Sequence, residues 1–181
     1  MNNAERILHL LDRKLEHDVE LTLYGRAALQ LGFDSPPDEF AWSKDVDAVL
    51  WLGQAEELAS TTTFWDAVQA LNEELADKGL YISHFFTEDQ IILLPDWRAK
   101  RVHLPGPWNH LDLYRLGNAD LLLSKLMRDD PIDQADARFI YDRSGFSRRE
   151  IEQIIARARV PDAAEIKEQF EICSTKLLAL L

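Results

Sequence analysis

Residues 19 to 52 constrain this chain most, because two different periodicities meet there around a glycine. Val19-Glu20-Leu21-Thr22-Leu23-Tyr24 carries the period-2 pattern of a half-buried strand. Gly25 ends that strand, and Arg26-Ala27-Ala28-Leu29-Gln30-Leu31 reads as a short helix. A surface loop from Phe33 to Ser43, with Pro36-Pro37 inside it, leads to Asp45-Val46-Asp47-Ala48-Val49-Leu50-Trp51-Leu52. This is a second strand that opens on two acids. Alternate residues of a strand share a face, so Asp45 and Asp47 are expected to project together while Val46 turns the other way. Aspartate is disfavoured in strands, and two on so apolar a run call for a reason. Acid stems roughly 6–7 Å apart beside a glycine turn suit a hard divalent cation held through oxygen. The bland alternative is a solvent-exposed pair at a strand start.

Gly25 has its own two readings. Without a side chain, the turn lets a phosphate approach the backbone, and the helix that follows offers free N–H groups to an anion. A lone glycine at a strand end can also be a plain turn. The five tryptophans read mostly as core or rim; Trp42, just ahead of Ser43, is the one for which stacking on a base is the alternative.

The order of strand, glycine, helix, spacer and Asp-hydrophobic-Asp resembles the nucleotidyltransferase (polymerase-beta) superfamily. More narrowly, it resembles the small prokaryotic nucleotidyltransferase-like proteins related to AbiEii-type toxins. In that group a Ser or Thr precedes the acid pair, and here Ser43 stands two residues before Asp45. A later helical element of the Lys-Leu-x-x-x-Arg kind, followed by Asp-x-x-Asp, has its counterpart in Lys125-Leu126-Met127-Arg128 and Asp133-Gln134-Ala135-Asp136. The resemblance implies an α+β fold: a nucleotidyltransferase-like mixed β-sheet flanked by helices over residues 1–116, then a C-terminal helical segment over 117–181, in a single domain. It implies transfer of a nucleoside monophosphate from an NTP to a hydroxyl on a protein, an RNA or a small molecule. Asp45 and Asp47 would be the catalytic acids and the ligands of Mg²⁺ (or Mn²⁺). Gly25, Arg26, Ser43, Lys125 and Arg128 would serve the nucleotide, and a toxin–antitoxin or defence setting is implied as well.

The chain departs from the pattern in two places. Arg26 follows the glycine where the superfamily has Gly or Ser; a guanidinium there can fork onto a phosphate or salt-bridge Asp45 or Asp47. The third carboxylate, normally on a later strand, has no clear counterpart, with Glu88, Asp89 and Asp96 as candidates. A catalytically silent version of the fold, acting as a binding or regulatory partner, is therefore the second reading. Lys125 and Arg128 share a helical face and can equally form a basic edge, with Asp136 as a salt-bridge partner. A third reading, an acidic helical interaction protein, requires that residues 19–24 and 46–52 do not pair.

Composition narrows the rest. A net charge of −12 and a pI near 4.8 argue against broad DNA binding, which needs a basic surface. The single cysteine, Cys173, excludes an intrachain disulfide framework and reads as a packing residue. No apolar run approaches the roughly 18 residues of a spanning helix, so no membrane is expected and a cytoplasmic location is the default.

Elsewhere the sequence predicts a first helix over residues 4–17, with Ile7, Leu8, Leu11 and Leu15 on one face. A longer helix over Thr63 to Lys78 is expected, capped from Thr61-Thr62-Thr63 and stopped by Gly79. Short strands follow at Leu80–Phe86, Gln90–Leu94, Val102–Leu104 and Leu111–Tyr114. The last 65 residues read as helices started at Asn118, Asp130-Pro131, Ser147 and Asp162.

Overall fold

The first helix begins because Asn2 and Glu5 satisfy each other's backbone donors. Asn2 Oδ1 accepts the Glu5 N–H at 2.8 Å and Glu5 Oε2 accepts the Asn2 N–H at 2.9 Å. This starts α1 (Asn3–Lys14), whose Ile7, Leu8 and Leu11 are fully buried. The alternating segments form the strands β1 (Val19–Tyr24), β2 (Asp45–Leu50), β3 (Tyr81–Thr87), β4 (Val102–His103) and β5 (Leu111–Arg115). A computed structural model describes all 181 residues, the side chain of Ser83 excepted.

The strands build one mixed sheet in the order β3-β2-β1-β5-β4. β1 runs antiparallel to β2 and parallel to β5, β2 runs parallel to β3, and β4 closes the far edge antiparallel to β5. The pairing of Thr22 with Val49 and Leu23 with Ala48 removes the all-helical interaction-protein reading. The fold is α+β, with helices flanking the sheet and a helical C-terminal stretch.

Two compact units divide the chain: Met1–Thr87 with Arg101–Arg115, and Glu88–Lys100 with Leu116–Leu181. In the first, α2 (Gly25–Gly32) follows β1, and α3 (Leu52–Ala59) and α4 (Thr62–Leu75) separate β2 from β3. Val46, Ala48, Leu50, Leu21, Leu23 and Ile82 are buried on one face of the sheet. Helices α1 and α4 pack there, with Phe64 of α4 meeting Phe85 of β3 edge-on at 5.4 Å. Asp12 of α1 is buried too, and its carboxylate accepts the N–H groups of Asn109, His110 and Leu111. Burial pulls its pKa upward, but these backbone donors win and hold it below the usual value.

The second unit holds α5 (Asn118–Ser124), α6 (Pro131–Ser144), α7 (Arg148–Arg157) and α8 (Ala164–Ala179). Asp130 caps α6 through the Ile132 and Asp133 N–H groups, and Ser147 with Glu150 forms the expected capping box for α7. Gly145 ends α6 at φ +67. Leu93 and Arg159 bridge the strap of residues 88–100 to the chain after α7.

Several local expectations need correction. Residues 52–59 form a separate helix, because Leu58 and Gln54 have buried positions to fill. Gln90–Leu94 is no strand: only Leu93 bridges, and the Leu94 N–H goes to a side chain, Asp120 Oδ1, at 2.7 Å. Gly117, not Asn118, occupies the cap of α5. Ala163 occupies that of α8, while Asp162 pairs with Lys167 instead. Thr61 sits at the cap of α4 without capping it, its hydroxyl donating back to the Glu57 carbonyl at 3.0 Å.

Candidate metal centre

β2 places its two acids as strand geometry requires. Val46 is buried on the packed face, whereas Asp45 and Asp47 are half-buried on the opposite one. The Ser43 hydroxyl donates to Asp45 Oδ1 at 3.0 Å and so orients that carboxylate from the preceding turn. Tyr24 pairs with Asp47 across β1 and β2, which brings Gly25 directly beside the second acid.

Gly25 has φ +68, a left-handed conformation that glycine adopts without a steric penalty. A Cβ there would also stand 3.0 Å from Asp47 Oδ2. The backbone conformation favours glycine, and a Cβ there would oblige the Asp47 carboxylate to give by a few tenths of an ångström.

The third element of the site comes from β3, through an irregularity. Val46 pairs with Ile82, but Asp47 pairs with His84, so the register slips by one residue between Val46 and Asp47. Partnered residues of neighbouring strands share a face. Without the slip, His84 would follow Ala48 to the packed side. With it, Phe85 takes that side, against Phe64, and His84 joins Asp47. His84 Nδ1 lies 3.0 Å from Asp47 Oδ1, and the imidazole stacks on Phe86 at 5.4 Å and 17°. Phe86 in turn meets Tyr24 edge-on. His84 is half exposed and Asp47 about one-fifth exposed, at 51% and 22% of their side chains.

Asp45, Asp47 and His84 each present one ligand atom, and all three atoms lie within 4.8 Å of one another. Ligands at 2.0–2.2 Å from a shared ion stand roughly 3–4.4 Å apart, so this set needs little adjustment to hold one. Two carboxylate oxygens and an imidazole nitrogen fit a divalent cation in donor chemistry as well. These three residues could hold a metal ion.

The other residues singled out in the sequence fall as follows. The Arg26 guanidinium lies over the ring of Phe40, 5.2 Å from its centre, and Phe40 is buried in the 3₁₀ turn Asp38–Trp42. Trp42, at the end of that turn, is 75% exposed. Lys125, in the second unit, is buried and donates to Asp133 Oδ1 at 3.0 Å and Asp136 Oδ2 at 2.8 Å. Arg128 completes this cluster through its own hydrogen bond to Asp133. Burial pulls the Asp133 pKa up, yet Arg128 and Lys125 together bring it below the usual carboxylate range. Glu88 receives the Trp97 indole N–H at 2.9 Å and Asp96 pairs with Arg157, so both have structural employment.

His84 falls inside the expected strand Leu80–Phe86, and nothing in the sequence assigned it to the site. No motif announces it; its membership of the site depends on a one-residue slip that alternation alone does not reveal. Family models, curated proteins and solved structures, compared with this chain, give no match.

Proposed function

We propose that this chain is a divalent-metal-dependent nucleotidyltransferase, moving a nucleoside monophosphate from an NTP to a hydroxyl acceptor. One observation carries the reading: Asp45 and Asp47 project from one face of β2 onto a left-handed glycine, with a third donor beside them. In this reaction the acceptor oxygen bonds to the α-phosphorus, the bond from that phosphorus to its bridging oxygen breaks, and pyrophosphate leaves. The hydroxyl proton passes to a carboxylate of the site. A bound Mg²⁺ or Mn²⁺ would supply the positive charge without which an NTP is repelled by two acids.

The chain's own residues have separable tasks. Asp45 and Asp47 would hold the ion, and the Ser43 hydroxyl fixes the orientation of Asp45. Gly25 makes room for the Asp47 carboxylate, the N–H groups that open α2 would receive a phosphate, and Trp42 is an exposed aromatic surface for a base. Lys125 and Arg128, tied to Asp133 and Asp136, act first as internal counter-ions of the helical unit. The acceptor is a hydroxyl of a protein, an RNA or a small molecule. A toxin–antitoxin or defence setting accords with the sequence resemblance.

A second reading, a silent version of the fold that binds without transferring, is favoured by one feature: the later strand offers an imidazole where the superfamily has a carboxylate. Equilibrium binding of labelled NTPs with and without Mg²⁺ or Mn²⁺, followed by incorporation into cell-extract acceptors, separates the two. The enzyme reading expects metal-dependent binding and incorporation, both abolished by Asp47→Asn. Metal-dependent binding with no incorporation into any acceptor favours the silent version, and no NTP binding at all ends both.

A further inference from the structure

We infer that His84 makes this a mixed oxygen–nitrogen metal site, selecting an imidazole-accepting ion of the Mn²⁺, Co²⁺ or Zn²⁺ class over Mg²⁺. The inference rests on the metal-pair reading above and specifies its ion; it does not need the transfer reaction to be correct. Mg²⁺ demands a nearly regular octahedron of oxygens and gives up its water reluctantly. Imidazole suits the later first-row ions instead. A site served by a third carboxylate would leave that preference open. Here the position beside Asp47 on the neighbouring strand belongs to His84, with its nitrogen 3.0 Å from the Asp47 oxygen.

Two observations argue that the placement of the imidazole is specific. The first is the register slip in β3, which costs a regular ladder position and turns His84 onto the acid face. Bulges of this kind re-aim side chains next to functional sites. The second is the stacking of the imidazole on Phe86, which in turn packs edge-on against Tyr24. A ring held on one face has its rotation restricted and its in-plane nitrogens directed along the sheet surface. Half of the His84 side chain remains exposed, so an ion can reach it from solvent.

The test uses the full chain, stripped of metal. Binding of Mn²⁺ is followed by loss of the free-ion electron paramagnetic resonance signal, with Mg²⁺ as competitor. Electron spin-echo modulation then reports whether a nitrogen is bonded to the manganese. The inference expects nitrogen modulation in the wild type and a preference for Mn²⁺ over Mg²⁺ of roughly tenfold or more. It expects His84→Ala to lose the modulation and most of the preference, and His84→Asp to shift the balance toward Mg²⁺. Circular dichroism checks that both variants fold, which the exposure of His84 favours.

Manganese bound through Asp45 and Asp47 with no nitrogen modulation, or a preference unchanged in His84→Ala, overturns the inference and leaves the acid-pair reading standing. Nitrogen modulation in a chain that binds no NTP upholds the inference and removes the transferase. Absence of any metal uptake, with Asp47→Asn indistinguishable from wild type, removes both.

Discussion

Two of the chain's closely spaced aspartate pairs, Asp133 with Asp136 and Asp45 with Asp47, meet different surroundings in the structure. Asp133 and Asp136 lie one turn apart on α6, buried, and Lys125 sits between them with Arg128 beside Asp133. Asp45 and Asp47 lie two residues apart on β2, half-buried, with a serine hydroxyl and an imidazole as neighbours. The helical pair is compensated by cations of the chain itself and so contributes to a folded core. The strand pair instead stands with the half-exposed His84, and one ligand atom from each of the three lies within 4.8 Å of the others, a set that could hold a metal ion. Spacing alone does not separate the two pairs; burial and the kind of groups gathered with the acids do.

Asp120 supplies the control inside the second unit. It is fully buried like Asp136, but its Oδ1 has only the Leu94 N–H and its Oδ2 has no hydrogen-bond partner among the described residues. Burial raises its pKa to about 6; the Leu94 N–H and the charge of Arg157 offset only part of this, and Asp96 adds to it. Asp133, with two cations in contact, shifts the other way. Burial is shared and the partner decides the sign.

The contrast is broken most severely at Lys125. Lys125→Met leaves two buried carboxylates without their shared cation and should cost about 4 kcal/mol in urea unfolding. Adding Asp133→Leu and Asp136→Leu should recover most of that loss, because an apolar replacement of the whole cluster is tolerated where half of it is not. If Lys125→Met leaves stability intact, the helical pair is not the compensated one.

Next comes the pH dependence of Asp120. Between its ordinary value of 3.8 and about 6, the folded chain holds this proton more firmly than the unfolded chain. Stability therefore falls as pH rises through that window, and the cost, about 3 kcal/mol, is complete above it. Asp120→Asn should remove this contribution, which is read as the difference between urea midpoints of variant and wild type at pH 4 and pH 7. Two profiles that run parallel would show that Asp120 is solvated.

A smaller effect separates glycines of the same conformation in the two units. Gly25→Ala should cost about 2 kcal/mol and Gly145→Ala about 1 kcal/mol in thermal unfolding, since both force a side chain into the left-handed region. Only at Gly25 does the new Cβ also meet a carboxylate oxygen; at Gly145 nothing lies within 4 Å. Equal losses at the two positions would mean that Asp47 moves aside freely. The smallest change is expected at the strand pair itself, where Asp45→Asn should alter stability by no more than about 0.5 kcal/mol while removing metal uptake.

What the sequence made legible follows the physics of each signal. Alternation located β1 and β2, and the expected sharing of a face by Asp45 and Asp47 agrees with the burial of Val46 between them. The glycine stops at Gly79 and Gly145 and the box at Ser147 were readable because a left-handed residue or a reciprocal cap leaves a local trace. Asn118 and Asp162 misled for the same reason: capping residue types occur freely near helix starts, and tertiary contacts choose which one is used. Leu93 and Leu94 looked like strand because they are apolar and buried, yet their partners are single residues far along the chain. His84 stayed hidden because its face depends on an insertion relative to β2, and one strand read alone contains no information about its neighbour's count.

That insertion makes the donor set a matter of parity. Hold the ladder regular from Ile82 onward with the same residues, and the histidine falls opposite Ala48, toward the packed interior; delete the one extra residue, and it stays opposite Asp47 with no slip at all. A strand's arithmetic, as much as its alphabet, decides which donors meet on this face.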